Sequence, residues 1–107
     1  MSNTKVTLYH ADWCGHCKHF LPKWDALTSF FTTNNISYEN FEDQRNPVEI
    51  ENAGIKGFPT IRITKDDNEY EYTGERTVDA IINEVLPQSG GNVNNSKRVY
   101  IKYTKNI

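Results

Sequence analysis

Two cysteines, Cys14 and Cys17, are the residues in this sequence whose type and spacing could support chemistry. Two residues separate them, a spacing that suits either a redox pair or half of a metal site. Cys14 follows a predicted strand and precedes a predicted helix, where unpaired backbone N–H groups and the helix dipole favour an anion. The placement predicts that the pKa of the Cys14 thiol lies below that of a free thiol.

Cys17 lies one helical turn beyond Cys14 and is predicted to be the deeper, less nucleophilic thiol. This asymmetry predicts thiol–disulfide exchange, in which Cys14 attacks a substrate disulfide, Cys17 resolves the mixed disulfide, and the reverse direction oxidises substrate dithiols. His16 favours the Cys14 thiolate and so makes the oxidised pair a better oxidant. Trp13 offers a flat apolar rim on which an extended polypeptide could dock, with a core tryptophan as the alternative.

Apolar periodicity and turn residues predict the elements that must position these side chains. The order strand, helix, strand, helix, strand, strand, helix covers residues 5–10, 15–32, 36–42, 47–54, 57–63, 69–73 and 78–86. Pro22 predicts a kink in the long first helix. A β-α-β opening implies parallel strands with a right-handed crossover, and the later strand pair forms a hairpin. We therefore predict an α/β fold with a four-stranded mixed sheet flanked by helices.

The chain divides into one domain, residues 1–87, and a flexible linker with a basic C-terminal tail, residues 88–107. Residues 97–107 carry four positive charges and no negative charge, with a two-residue apolar alternation that could form an extra strand. Three alternatives stay open for this tail. It could cover the open edge of the strand at 36–42, pair with a neighbouring molecule, or be a disordered solubilising segment.

Composition and charge exclude several classes of function. A formal net charge of −2 gives no polybasic field for nucleic acid. The sequence has no apolar run long enough for a membrane helix and no apolar stretch typical of a signal peptide. We expect a monomer without a cofactor, a nucleic-acid partner or membrane association. From the sequence we expect a cytoplasmic protein, and an oxidising lumen or a virion stays open as an alternative.

Three landmarks resemble a known family. Residues 13–18, Trp-Cys-Gly-His-Cys-Lys, resemble the active site of thioredoxin-fold proteins, and their Gly15-His16 interior resembles that of the catalytic domains of protein disulfide isomerase. Residues 57–60, Gly-Phe-Pro-Thr, are similar to the loop in which this family holds a cis-proline, and residues 72–77 resemble the isomerase approach to the last helix. The resemblance covers residues 6–86 and implies a thiol–disulfide oxidoreductase that acts on protein substrates.

The resemblance also implies roles for individual residues. Pro59 would be cis and would face the cysteines, and the backbone of Phe58 would pair with an extended substrate strand beside Cys14. Arg76 matches a family arginine that moves toward the resolving cysteine and lowers its pKa. The alternative for Arg76 is a solvated side chain before a helix.

The sequence departs from the family pattern at the position of the buried carboxylate and in the length of the segment before Cys14. The family usually buries a carboxylate six residues before the first cysteine, paired with a lysine on the next strand, as a proton acceptor for the resolving thiol. This sequence has Leu8 there and residues 39–41, Glu-Asn-Phe, around the lysine position. Glu39 or water could substitute, and resolution by Cys17 could be slow. Only 13 residues precede Cys14, which predicts a trimmed fold without the opening strand and helix.

Two alternative functions remain open. A zinc-binding module could draw nitrogen and sulfur ligands from His10, Cys14, His16, Cys17 and His19. No second Cys-x-x-Cys motif or spaced histidine pair completes a usual tetrahedral site, and we expect His10 and His19 at the surface. A non-enzymatic adapter could instead dock partners through Trp13 and the Pro59 loop. An adapter would tolerate loss of Cys14, whereas an oxidoreductase would not.

Overall fold

The computed structural model describes residues 3–86. Along these residues the elements are β1 (Thr4–His10), α1 (Gly15–Thr33), β2 (Ser37–Glu42), α2 (Pro47–Asn52), β3 (Thr60–Lys65), β4 (Asn68–Glu71) and α3 (Val78–Val85). This succession confirms the predicted order of strands and helices. The predicted domain boundary at residue 87, the linker and the tail lie outside the described residues, so the three alternatives for the tail stay predictions.

The strands form one mixed sheet in the order β2-β1-β3-β4. β1 runs parallel to β2 and antiparallel to β3, and β3 and β4 form an antiparallel hairpin. The hairpin turn contains Asp66 and Asp67 with φ angles of 51° and 73°, a region that aspartate tolerates better than most residues. The sheet confirms the predicted fold class. Because β1 is a central strand, its last residue, His10, lies in the middle of one end of the sheet.

Helices α1 and α3 pack together over one face of the sheet and bury the main hydrophobic core. The buried side chains of this core are Val6, Leu8, Phe20, Trp24, Leu27, Phe31, Ile36, Ile61, Ile63, Ile81 and Val85. Truncating one large core side chain to alanine costs about 2–5 kcal/mol, so the core fixes α1 firmly against β1. α1 continues through Pro22 as an unbroken helix. None of the helices in residues 3–86 is long and apolar enough to cross a membrane.

Three loops meet at the end of the sheet where β1 stops. β3 begins at Thr60, three residues later than the predicted start at Gly57, because Pro59 has no N–H to donate to the strand ladder. Thr60 pairs with Tyr9, which brings the loop before β3 to the C-terminal end of β1. Glu42, the last residue of β2, pairs with His10 at the same end. The β1–α1, β2–α2 and α2–β3 loops therefore lie side by side.

Candidate active site

Cys14 sits at the N-terminus of α1 and caps the helix with its own sulfur. Its N–H donates to the Ala11 carbonyl at 3.1 Å, which turns the chain from β1 into the helix. Its Sγ accepts the N–H of Cys17 at 3.2 Å, while its carbonyl accepts the N–H of Lys18 at 3.1 Å and begins the helical ladder. The sulfur thus takes the place that a serine or aspartate oxygen has in an ordinary N-cap. Negative charge on this atom is favoured by the helix dipole.

Opposing effects set the pKa of Cys14. Burial raises it, because a thiolate is poorly solvated inside a protein. Hydrogen bonds from the Cys17 thiol, from the Cys17 N–H and from the His16 N–H stabilise the thiolate, and the positive charge of Arg76 adds to them. Together they outweigh burial and hold the pKa of Cys14 below its usual value. This is the direction predicted from the position of Cys14 in the sequence.

Cys17 has the opposite character. Its side chain is 1% exposed and packs with Ala11, Cys14 and the half-buried Phe58. Burial, and then its hydrogen bond to Cys14, raise the pKa of Cys17 to about 12, although the Ala11 N–H and the charge of Arg76 act the other way. At neutral pH Cys17 is therefore a protonated thiol that donates to the Cys14 sulfur. Both cysteines are free in this structure.

The loop before β3 lies directly against Cys14. The Phe58–Pro59 peptide is cis, as the resemblance implied, and the Phe58 carbonyl lies 3.6 Å from Cys14 Sγ. Trp13 is 61% exposed, so the alternative of a core tryptophan is wrong. The Trp13 ring meets the Phe58 ring edge to face, with centroids 5.7 Å apart. Two aromatic rings therefore border the buried sulfur on its solvent side.

The remaining predicted site residues surround the cysteines without closing over them. Gly15 and His16 are exposed, and a side chain at Gly15 would meet no atom within 4 Å. Arg76 is exposed in the segment before α3, yet its charge favours the thiolate form of both cysteines. The site is thus open to solvent on the side of His16.

Glu42 is a buried carboxylate beside this site that sequence reasoning missed. Its side chain is 1% exposed, whereas that of the neighbouring Phe41 is only half-buried. Its oxygens accept the N–H groups of Asp12, Gln44 and Arg45, each at 2.9 Å. The Asp12 bond is the largest cause that holds the pKa of Glu42 below its usual value, with burial opposing it. The available signal was the two-residue alternation that places Tyr38 and Glu42 on one face of β2.

Further bonds join the two loops on either side of Glu42. Asp43 donates its N–H to the His10 carbonyl at 2.9 Å and accepts the indole N–H of Trp13 at 3.1 Å. Arg45 Nη1 lies 2.6 Å from Asp12 Oδ2. We call residues 42–45 the Glu42 clamp, because they fix residues 10–13 immediately before Cys14.

His10 is buried, contrary to the expected surface position. The side chain is 5% exposed, because it ends the central strand beneath the β1–α1 loop. Its Nε2 lies 3.1 Å from Asn40 Oδ1, and Nδ1 has no hydrogen-bond partner among residues 3–86. His19 is exposed, as expected. Within the same part of the chain no group of three or more His, Cys, Asp or Glu residues could hold a metal ion, so the zinc alternative finds no ligand set there.

The family model of thioredoxin matches residues 2–86. The chain belongs to the thioredoxin family. It is 35% identical over 82 residues to human protein disulfide-isomerase A6, covering 73% of this chain and 19% of that protein. It is also 35% identical over 85 residues to a protein disulfide-isomerase of Arthroderma benhamiae, covering 72% of this chain and 16% of the relative.

A solved structure shows the same architecture as this thioredoxin domain. The first thioredoxin domain of mouse protein disulfide-isomerase A4 superimposes with a TM-score of 0.67 at 25% identity, covering 87% of this chain and 74% of that one. The chain itself spans less than a fifth of the length of the human and fungal relatives. The family resemblance inferred from the three sequence landmarks is therefore confirmed.

Proposed function

We propose that this thioredoxin domain is a thiol–disulfide oxidoreductase that acts on protein disulfides and dithiols through Cys14 and Cys17. The observation that carries the proposal is that the two thiols differ in position and in pKa. Cys14 accepts a backbone N–H at a helix N-terminus and has a lowered pKa, whereas burial raises the pKa of Cys17 to about 12. Only one of the pair is a nucleophile at neutral pH. The similarity to protein disulfide-isomerases supports this assignment.

The first step is attack by the Cys14 thiolate on one sulfur of a substrate disulfide. A bond forms between Cys14 and that sulfur, the substrate S–S bond breaks, and the leaving thiolate takes up a proton from solvent. In the second step Cys17 loses its proton and attacks Cys14 Sγ. The substrate leaves as a thiol, the Cys14–Cys17 disulfide forms, and two electrons have passed to the substrate. The reverse sequence oxidises a substrate dithiol.

The surroundings of Cys14 suit an extended polypeptide substrate. The Phe58 backbone lies beside the sulfur, with its carbonyl 3.6 Å away, so a chain passing Cys14 can reach main-chain groups of this loop. Trp13, 61% exposed, offers apolar area on the same side. Gly15 adds no side chain that would block approach.

Reduction of insulin by dithiothreitol tests the proposal. We expect Cys14→Ser to lower the catalysed rate to background, since the nucleophile is gone. Cys17→Ser should instead accumulate mixed disulfides with the substrate, visible on non-reducing gels, because resolution is lost. Undiminished insulin reduction by Cys14→Ser would overturn the proposal and favour the adapter alternative.

A further inference from the structure

The resolving step needs a base, and the position where the family resemblance implied one holds leucine. Cys17 is protonated at neutral pH, so it must lose its proton before it can attack. Leu8 is 0% exposed within the hydrophobic core and offers no acceptor. Its register partner on β2 is Asn40, whose side chain also has no basic group. A side-chain proton acceptor must therefore come from another position.

His10 has a basic nitrogen that the fold leaves free. An amide oxygen can only accept, so the 3.1 Å contact with Asn40 Oδ1 requires the neutral ring to carry its hydrogen on Nε2. Nδ1 then bears a lone pair. That atom is buried and has no partner within the described residues. An imidazole nitrogen held in this tautomer is a proton acceptor ready for use.

His10 directly precedes Ala11, one of the residues against which Cys17 packs. The Ala11 N–H acts to lower the pKa of Cys17. His10 lies two residues beyond Leu8 on β1, and alternation places both side chains on the face that α1 covers. Cys17 is on α1 and is buried against this end of the strand.

The other buried ionisable groups nearby are poorer acceptors. Glu42, the register partner of His10 on β2, already accepts three N–H groups, and these hold its pKa low. Tyr9 lies on the opposite face of the sheet, where it stacks with Phe41 and lies under Arg62. On the α1 side the titratable groups of the buried cluster are Cys14 and Cys17 themselves.

We propose that His10 Nδ1 is the proton acceptor for Cys17 in the resolving step. The inference rests on the proposed thiol–disulfide exchange. The proton passes from Cys17 Sγ to His10 Nδ1. The Cys17 thiolate attacks Cys14 Sγ, the bond from Cys14 to the substrate sulfur breaks, and the substrate thiolate is protonated by solvent. His10 then returns its proton to solvent, so the ring is neutral again. The His10–Asn40 pair thus replaces the buried carboxylate and lysine of the family pattern.

Stopped-flow reaction of the reduced protein with 5,5′-dithiobis(2-nitrobenzoate) separates the two steps. The first coloured release reports attack by Cys14, and the second reports attack by Cys17 on the resulting Cys14 adduct. We expect His10→Gln, which keeps the bond to Asn40 but has no titratable nitrogen, to leave the first phase unchanged. It should slow the second phase by about tenfold or more at neutral pH. Alkaline pH should restore that phase, because hydroxide replaces the missing base.

His19→Gln is the matched control, since this histidine is exposed on α1, two residues beyond Cys17. Its second phase should follow the wild-type rate and pH profile. If His10→Gln does not fold, Asn40→Ala decides, because it alters an exposed residue and releases the ring tautomer. If His10→Gln folds and its second phase is unchanged, the proposal is overturned. If His10→Gln does not fold, an unchanged second phase in Asn40→Ala overturns it. Loss of the first phase in wild-type protein would instead overturn the proposed function.

Discussion

The two loops that flank Cys14 hold it by different physical means. On one side the Glu42 clamp fixes residues 10–13 through the bond from the Asp12 N–H to the buried Glu42 carboxylate and through the Arg45–Asp12 ion pair. The same carboxylate orders the clamp itself by accepting the N–H groups of Gln44 and Arg45. On the other side the Phe58–Pro59 loop has a 3.6 Å carbonyl contact with the sulfur and one edge-to-face aromatic contact. The two sides therefore have different roles. The polar side anchors the nucleophile to the fold, and the apolar side remains available for a substrate.

Breaking the clamp should give the largest effect. Glu42→Ala leaves the N–H groups of Asp12, Gln44 and Arg45 without their charged acceptor, and the loss of three hydrogen bonds to a carboxylate is costly. We expect a fall in Tm of about 10 °C or more, measured by circular dichroism. Glu39→Ala is the control on the same strand. Glu39 pairs with Lys5 at the surface, so its loss should lower Tm by about 4 °C or less. Equal falls in Tm for the two variants would show that Glu42 stabilises the fold no more than a surface ion pair does.

Lowering the pH should reduce the contribution of Glu42 to the stability of the fold. The pKa of Glu42 is lowered in the folded protein from an ordinary value of 4.5, so its stabilising contribution is complete above that value. The contribution is lost as pH falls through the lowered folded-state pKa. Urea unfolding at a series of pH values should therefore show that wild type is more stable than Glu42→Gln at neutral pH and that the gap narrows in acid. A gap that stays constant down to the acid end of the series contradicts this account.

The sequence predicted the role of the nucleophile, Cys14, but not the burial of Glu42, which anchors it. Cys14 and Cys17 belong to one strand–helix junction, so local rules for helix termini gave their order of reactivity. Glu42 accepts a bond from Asp12, 30 positions earlier in the chain, and His10 contacts Asn40, 30 positions later. Whether such residues are buried depends on which face of β2 the helix α1 covers and how the parallel strands align. Polar residues at the strand ends therefore looked like surface positions.

Disturbing the apolar side should affect substrate use more than stability. Phe58→Ala removes the edge-to-face contact with Trp13, an arrangement worth about 0.5–1.5 kcal/mol beyond simple burial. We expect KM for reduced or oxidised protein substrates to rise about three- to tenfold, while Tm falls far less than in Glu42→Ala. The reaction with 5,5′-dithiobis(2-nitrobenzoate) is the control, since a small disulfide needs little of this surface. A Tm loss as large as that of Glu42→Ala would show that both sides of Cys14 are structural anchors.

The smallest effect should come from His16, whose side chain is exposed to solvent. His16→Pro removes the imidazole and also the N–H that helps to hold the pKa of Cys14 low, so the thiolate loses support and the disulfide is favoured. Proline is tolerated in the first turn of a helix, so the fold should persist. The reduction potential, measured by equilibration with glutathione, should become more negative by tens of millivolts, where about 30 mV corresponds to 1.4 kcal/mol. His16→Ala keeps the N–H and should shift the potential less in the same direction. An equal or higher potential in His16→Pro would show that His16 does not tune the pair.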